Sequence, residues 1–194
     1  MNPYLVFILA VILIGYALET IVSLLNLRAL DPKLPSEFAD VFDQQKYARS
    51  QAYTRVTTTF GLIQNSIMTP VTILFILLGG FNWIDTVARS FHQGSIVTGL
   101  VFTGILVLLS GLASLPFSIY STFIIEERFG FNKTTVKTFV LDIFKSLLLG
   151  ILFGGPLLAL VLWFFETSGP FAWLYCWLFV VGFTFVMQFL APVL

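Results

Sequence analysis

Three groups of polar residues lie within otherwise apolar runs, and these are the places where the sequence could do chemistry. Glu19 shares a helical face with Tyr16, Ser23 and Asn26; Gln64 and Asn65 stand with Thr69; Thr184 precedes Gln188 by one helical turn. A carboxylate in hydrocarbon is costly unless it is protonated, paired or wetted, so Glu19 has to face protein or water. Two roles fit it: pairing with a neighbouring helix, or lining a hydrated cavity. The amides and hydroxyls fit both roles, as glue between helices or as the wall of a wet interior. A further group is ionic: Glu126, Glu127 and Arg128, then Lys133 and Lys137, with Asp142 and Lys145 beyond them. The first five could pair across a turn.

Residue types for covalent or metal chemistry are scarce. One histidine, His92, and one cysteine, Cys176, cannot complete a zinc set or a disulfide framework. No HExxH, GxSxG or GxxxxGK[ST] occurs. The arginine that a Glu-Glu-x-x-x-Arg site needs falls on Phe131. His92 reads as an exposed loop side chain and Cys176 as packing. With a formal net charge of zero, the chain has no electrostatic footprint for nucleic acid.

The elements that must position these groups follow from composition. Of 194 residues, 58% are hydrophobic and 10% charged, where a soluble domain carries roughly 25% charged residues. Mean hydropathy is +0.96. So few charges cannot cover a soluble surface, and the chain reads as an all-α, polytopic membrane helical bundle. Charge-free runs predict five transmembrane helices near 4–25, 58–79, 96–119, 139–165 and 171–192 in a single membrane domain. The first run lacks a basic flank and a cleavage site, so it reads as a retained span. Ser168-Gly169-Pro170 is so short a gap that the last two spans must form an antiparallel hairpin. The fourth span is long, and Gly154-Gly155-Pro156 should interrupt its middle. Asp142 and Lys145, three residues apart, suit a pair held near the headgroups.

Orientation comes from Lys and Arg. Connection 26–57 holds Arg28, Lys33, Lys46, Arg49 and Arg55; connection 120–138 holds Arg128, Lys133 and Lys137; the opposite side holds Arg89. The positive-inside rule puts the first two in the cytoplasm, the N-terminus outside and the C-terminus cytoplasmic. Residues 36–57 lack Gly and Pro and predict a helix from an N-cap at Ser36 that can run unbroken into the second span. It reads equally as a surface-lying amphipathic stretch or a prop for another domain. In the other connection, helix is expected to continue past Pro116 to Arg128, with Gly130 left-handed at its end and Asn132 or Thr134 capping the next helix.

The residues of this elbow carry a resemblance. The run IIEERFGFNKTTVKTFVLDIFKS, Ile124 to Ser146, resembles the membrane region of M48 zinc metalloproteases of the CAAX prenyl protease 1 (Ste24-like) type. That pattern is an acidic residue, FGFNK-x-T, and an Asp and a Lys in the following helix. Here these are Glu126, Phe129, Gly130, Phe131, Asn132, Lys133, Thr135, Asp142 and Lys145. YARSQAYTRVTTTFG is similar to the family's first cytoplasmic segment, with Tyr47, Ser50, Tyr53 and Phe60 on the pattern.

The resemblance implies helices around an intramembrane chamber and a cytoplasm-facing zinc site. It also implies cleavage near prenylated C-termini or of membrane proteins. It implies an inner or plasma membrane in a bacterium, or the endoplasmic reticulum or inner nuclear membrane in a eukaryote. No cofactor is expected in this chain; zinc is implied for a full-length protein, whose catalytic domain is expected downstream of a truncated chain. A naturally short, non-catalytic relative is the other possibility. Implied partners are membrane lipids, that catalytic domain, and a peptide or membrane-protein substrate. Glu19, Gln64 and Asn65 are expected in the chamber lining, and the Phe129–Lys133 elbow against the catalytic part. The rival readings are a small transporter or channel-like protein, and a membrane scaffold or chaperone.

Overall fold

A backbone crossing hydrocarbon must satisfy its own polar groups, and this chain does so with helices. The computed structural model describes residues 2–34 and 43–190. In it α1 covers Pro3–Ala29, α2 Gln44–Leu77, α4 Ser95–Phe129, α5 Val136–Thr167 and α6 Gly169–Leu190, all five long and apolar enough to span a membrane. A short α3, Gly80–Arg89, joins α2 to α4. The protein is thus an all-α, integral, multi-pass membrane bundle.

Local chemistry sets the helix ends. Asn2 Oδ1 accepts the Tyr4 N–H at 3.0 Å and Pro3 supplies a preset first turn to α1. Asp43, in extended conformation, accepts the Lys46 N–H at 2.8 Å and starts α2. The unbroken helix into the second span therefore begins at Gln44; the expected cap at Ser36 lies outside the described residues. The cap of α5 is Thr135, which accepts the Thr138 N–H at 3.2 Å. That corrects the choice of Asn132 or Thr134. Asn132 is turned back instead, giving its side-chain amide to Glu127 Oε2 at 2.9 Å.

Two spans change pitch. A π segment at Gly150–Gly154 precedes Pro156 in α5. Proline has no N–H for the carbonyl four residues back and its ring presses on it, so a wider turn absorbs the misfit where glycines leave room. A second π segment, Ser121–Glu126, lies in α4 five residues past Pro116.

The chain forms two compact units. The first comprises residues up to Phe81 and Gly111–Lys133, so α1, α2 and the end of α4 build it. Phe60 of α2 stacks on Tyr120 at 5.0 Å and meets Phe117 at 6.1 Å. Ile125 and Phe129 are its buried α4 residues, and Leu34 is buried where Gln44 holds its N–H at 3.0 Å.

The second unit comprises Asn82–Ser110 and Thr134–Leu194. There the start of α4 lies against the end of α5, with Leu162 on Gly99 and Ser95 Oγ donating to the Glu166 carboxylate. Gly169, at φ 59°, turns α5 into α6, and Cys176 is buried with Sγ 3.5 Å from the Val161 carbonyl oxygen. Thr184 spends its hydroxyl on the Val180 carbonyl of its own helix. In α3, Ile84 and Ala88 are fully buried, while the exposed Asp85 carboxylate, 2.7 Å from Arg89, raises that guanidinium's pKa by hydrogen bond and charge. His92 is exposed, and Asp142 and Lys145 are exposed and form no ion pair, contrary to the pairing expected from their spacing.

A Cβ on Gly99 would stand 2.7 Å from Leu162 Cδ1. Gly99→Val should lower stability by about 1–3 kcal/mol through overpacking, and Leu162→Ala on that background should recover part of the loss. Thermal unfolding in detergent micelles reads both.

Candidate functional site

The site is built from α2 and the last turns of α4. A helix ends with carbonyls that have no partner within it. α4 meets this at Gly130, whose φ of 68° is the left-handed turn expected there. The Phe131 N–H returns to the Glu126 carbonyl at 2.9 Å and the Gly130 N–H to that of Glu127 at 3.0 Å. The last carbonyl of α4, of Phe129, accepts from the guanidinium of Arg49 on α2. A cation at the negative end of a helix is favourable electrostatically as well as by hydrogen bond.

Around that contact the elbow closes on α2. Tyr53 meets Phe129 edge-on at 5.3 Å and Phe131 at 4.9 Å. The Arg49 guanidinium lies 6.0 Å from the Phe131 ring centroid, and that of Arg128 5.9 Å from the Phe129 ring. A Cβ on Gly130 would come within 3.1 Å of Arg49 Nη2, so a side chain there would press on the guanidinium as well as strain φ. One turn and a half further along α2, Arg55 Nη2 reaches the Leu30 carbonyl, just past the end of α1, at 3.4 Å. Two arginines of one helix thus serve the ends of two others.

Deeper in the bundle, α1 and α2 meet through polar atoms. Asn65 Nδ2 donates to Glu19 Oε1 at 2.8 Å, and the hydroxyls of Tyr16 and Ser66 lie 2.9 Å apart. Of the two roles open to Glu19, pairing with a neighbouring helix is present. On the side of α2 that faces α4 is a hollow of about 370 Å³ lined by Thr57, Phe60, Gly61, Gln64, Phe117, Ser118, Ser121 and Thr122. Thr57, Gly61 and Gln64 follow one another at helical spacing, and Phe117, Ser118, Ser121 and Thr122 recur at helical spacing on the opposite wall. The hollow holds no ionisable group. Among the described residues no cluster of three or more His, Cys, Asp or Glu could hold a metal.

The candidate residues therefore fall into separate groups. Glu19 and Asn65 come together; Gln64 lines the hollow; Glu126, Phe129, Gly130, Phe131 and Asn132 form the elbow. Lys133 ends the same unit, exposed, and no ion pair joins Glu126, Glu127 or Arg128 to Lys133 or Lys137 among the described residues, which corrects the cross-turn pairing. The left-handed turn uses Glu126 and Glu127 through their backbone carbonyls instead. Asp142 and Lys145 belong to the other unit. Arg49, Arg55, Ser118, Ser121 and Thr122 were not singled out. Their signal was present: two arginines six residues apart in the Gly-free stretch 36–57, and a hydroxyl run in a charge-free segment.

Gly130→Ala should cost about 1–2 kcal/mol for its left-handed backbone, and Arg49→Ala should likewise loosen the elbow. Limited proteolysis between residues 127 and 135 in detergent should speed up by about 5–30-fold. Arg128→Ala, which leaves the carbonyl contact intact, should move it much less.

The family model for the N-terminal region of CAAX prenyl proteases, with five membrane helices, matches residues 23–194. A CAAX prenyl protease 1 homolog of Oryza sativa subsp. japonica is 33% identical over 199 positions, covering 98% of this chain and 47% of its own length. CAAX prenyl protease 1 of Saccharomyces cerevisiae is 36% identical over 172 positions, covering 83% of this chain and 37% of its own. The crystal structure of S. mikatae Ste24p superposes with a TM-score of 0.89 at 29% identity, over all of this chain and 47% of that one. The chain spans about half the length of the curated relatives it matches. With its five spans and its FGFNK elbow, the chain belongs to the M48 family of CAAX prenyl protease 1 (Ste24-like) metalloproteases, as the N-terminal membrane region of that family.

Proposed function

We propose that this chain forms part of the wall of an intramembrane substrate chamber in an M48 zinc metalloendopeptidase and braces the part that carries the zinc. The observation that carries this reading is the polar hollow between α2 and α4, set in spans that hydrocarbon would otherwise surround. Amides and hydroxyls facing a cavity at that depth have a use when the cavity is wet or occupied, and a cost when lipid fills it. Glu19 and Asn65 would hold α1 beside that wall, and Gln64 would form part of it. The elbow, with Phe131 half-exposed and Lys133 and Lys137 free of ion pairs among the described residues, would offer its outer face to the catalytic part. Asp142 and Lys145, exposed on α5 in the other unit, would offer a contact of their own.

Orientation belongs to the same proposal. The first and third connections meet through Arg49 and Phe129, which supports their sharing one side of the membrane. Eight of the ten basic residues lie in them, which favours the cytoplasm for that side, with the N-terminus outside. Hydrolysis is not assigned to this chain's residues. The lone His92 and lone Cys176 supply no donor set for zinc, so the metal that activates water in such an enzyme would be held by other residues of a longer protein.

A chimera tests this. This chain should replace the matching N-terminal region of the rice CAAX prenyl protease 1 homolog and retain zinc-dependent cleavage of a prenylated peptide. A chimera that inserts in the membrane and binds zinc yet cleaves nothing would contradict the reading. The chain alone should bind less than stoichiometric zinc by atomic absorption, and one tightly held zinc per chain would overturn the assignment of the metal elsewhere.

A further inference from the structure

The hollow between α2 and α4 has a composition that selects its occupant. Its lining carries Gln64, Ser121 and Thr122 with the hydroxyls of Thr57 and Ser118, and the rings of Phe60 and Phe117, whose centroids are 6.1 Å apart. Thr57 and Ser118 already spend their hydroxyl protons on carbonyls of their own helices. Gln64, Ser121 and Thr122 make no hydrogen bond to any described residue, so an amide and two hydroxyls stand unused at the cavity surface. Each can donate and accept. Nothing in the lining carries charge, so an ionic ligand would lose its hydration and gain no counter-ion.

A segment of polypeptide that crosses hydrocarbon as a helix needs no such partners, because its backbone groups bond to one another. An extended segment does need them: its N–H and C=O groups alternate, and hydrocarbon satisfies none. The volume of about 370 Å³ is that of roughly twelve waters at about 30 Å³ each, room for a short stretch of backbone with an apolar side chain against the two rings.

We propose that this hollow is a binding niche for an uncharged, extended polypeptide segment, with backbone amides held by Gln64, Ser121 and Thr122 and an apolar side chain on Phe60 and Phe117. The proposal rests on the chamber reading above and names which part of the wall the substrate touches and which substrate conformation it favours.

The test uses the full chain in phosphatidylcholine nanodiscs, with the photo-crosslinker p-benzoylphenylalanine at position 117 and, as a control outside the hollow, at position 108. The probe is an N-acetylated, C-amidated, fluorophore-labelled hexapeptide of alanine, leucine and serine. Saturable cross-linking at 117 and none at 108 is expected, with competition by the unlabelled peptide. Combining Gln64→Leu, Ser121→Ala and Thr122→Val should weaken it about tenfold, as loss of polar partners predicts. The conservative set Gln64→Asn, Ser121→Thr and Thr122→Ser should retain it. A hexapeptide with lysine and glutamate at its centre should bind about tenfold more weakly for want of counter-charge. No saturable cross-link from position 117 with Gln64, Ser121 and Thr122 intact, or equal labelling by the charged probe, overturns the niche and leaves the hollow to water. The rice chimera separates the two readings. If it cleaves peptide with an unchanged KM when Gln64, Ser121 and Thr122 are replaced, the niche falls and the chamber stands. If it is inactive while cross-linking remains saturable and selective, the chamber falls and the niche stands.

Discussion

Everything in this protein turns on finding partners for a few polar groups in a chain that is 58% hydrophobic. Hydrocarbon offers them none, so each must meet another polar group of the protein or water. In the unit built from α1, α2 and the end of α4, the partners come from α2. Its Arg49 and Arg55 reach carbonyls at the ends of α4 and α1, its Asn65 and Ser66 meet Glu19 and Tyr16, and its Gln64 faces the hollow. The apolar faces contribute packing with little selectivity, since lipid is as good a neighbour for leucine as another helix. Register between the helices is therefore set by these few polar contacts together with the Phe60 and Tyr53 ring pairs.

Helical spacing serves the same constraint. In α4, Phe117, Ser118, Ser121 and Thr122 recur at three- and four-residue intervals and so share the face on the hollow, and the π segment that begins at Ser121 shifts the side chains that follow toward the elbow. The elbow that follows is fixed by glycine stereochemistry and by the Arg49 contact. The family relationship gives this arrangement a setting: five helices of an M48 N-terminal membrane region, in which one helix, α2, lines the hollow and holds the elbow.

What could be read from the sequence divides along physical lines. Charge-free runs marked the five spans because exclusion of charge is a bulk requirement of the bilayer. Gly130 and Gly154-Gly155-Pro156 marked a turn and a pitch change because backbone stereochemistry is local. Glu19 was recognisable as a residue in need of a partner, but its partner, Asn65, lies 46 positions away and no local spacing encodes it. The same holds for Arg49, whose acceptor is 80 positions distant. The cap of α5 is Thr135 and not the expected Asn132 or Thr134, because the choice depends on the left-handed turn upstream, which draws Asn132 back to Glu127. The ion pairs expected at Lys133, Lys137 and Lys145 do not form, since correct spacing permits a surface pair and contributes little to hold it.

The claim that α2 turns a wet polar face to α4 and an apolar face to lipid is open to one direct measurement. Single cysteines along α2, in nanodiscs and with the buried Cys176 replaced by Ser, can be timed against a charged, membrane-impermeant maleimide. Positions 57, 61 and 64 line the hollow, whereas Ile67 and Leu74 are exposed further around the helix on the apolar side. Reaction about tenfold faster at the first three, repeating with the helical period, is the result expected of a hydrated wall. Equal rates on both faces, or faster reaction at 67 and 74, would contradict the account.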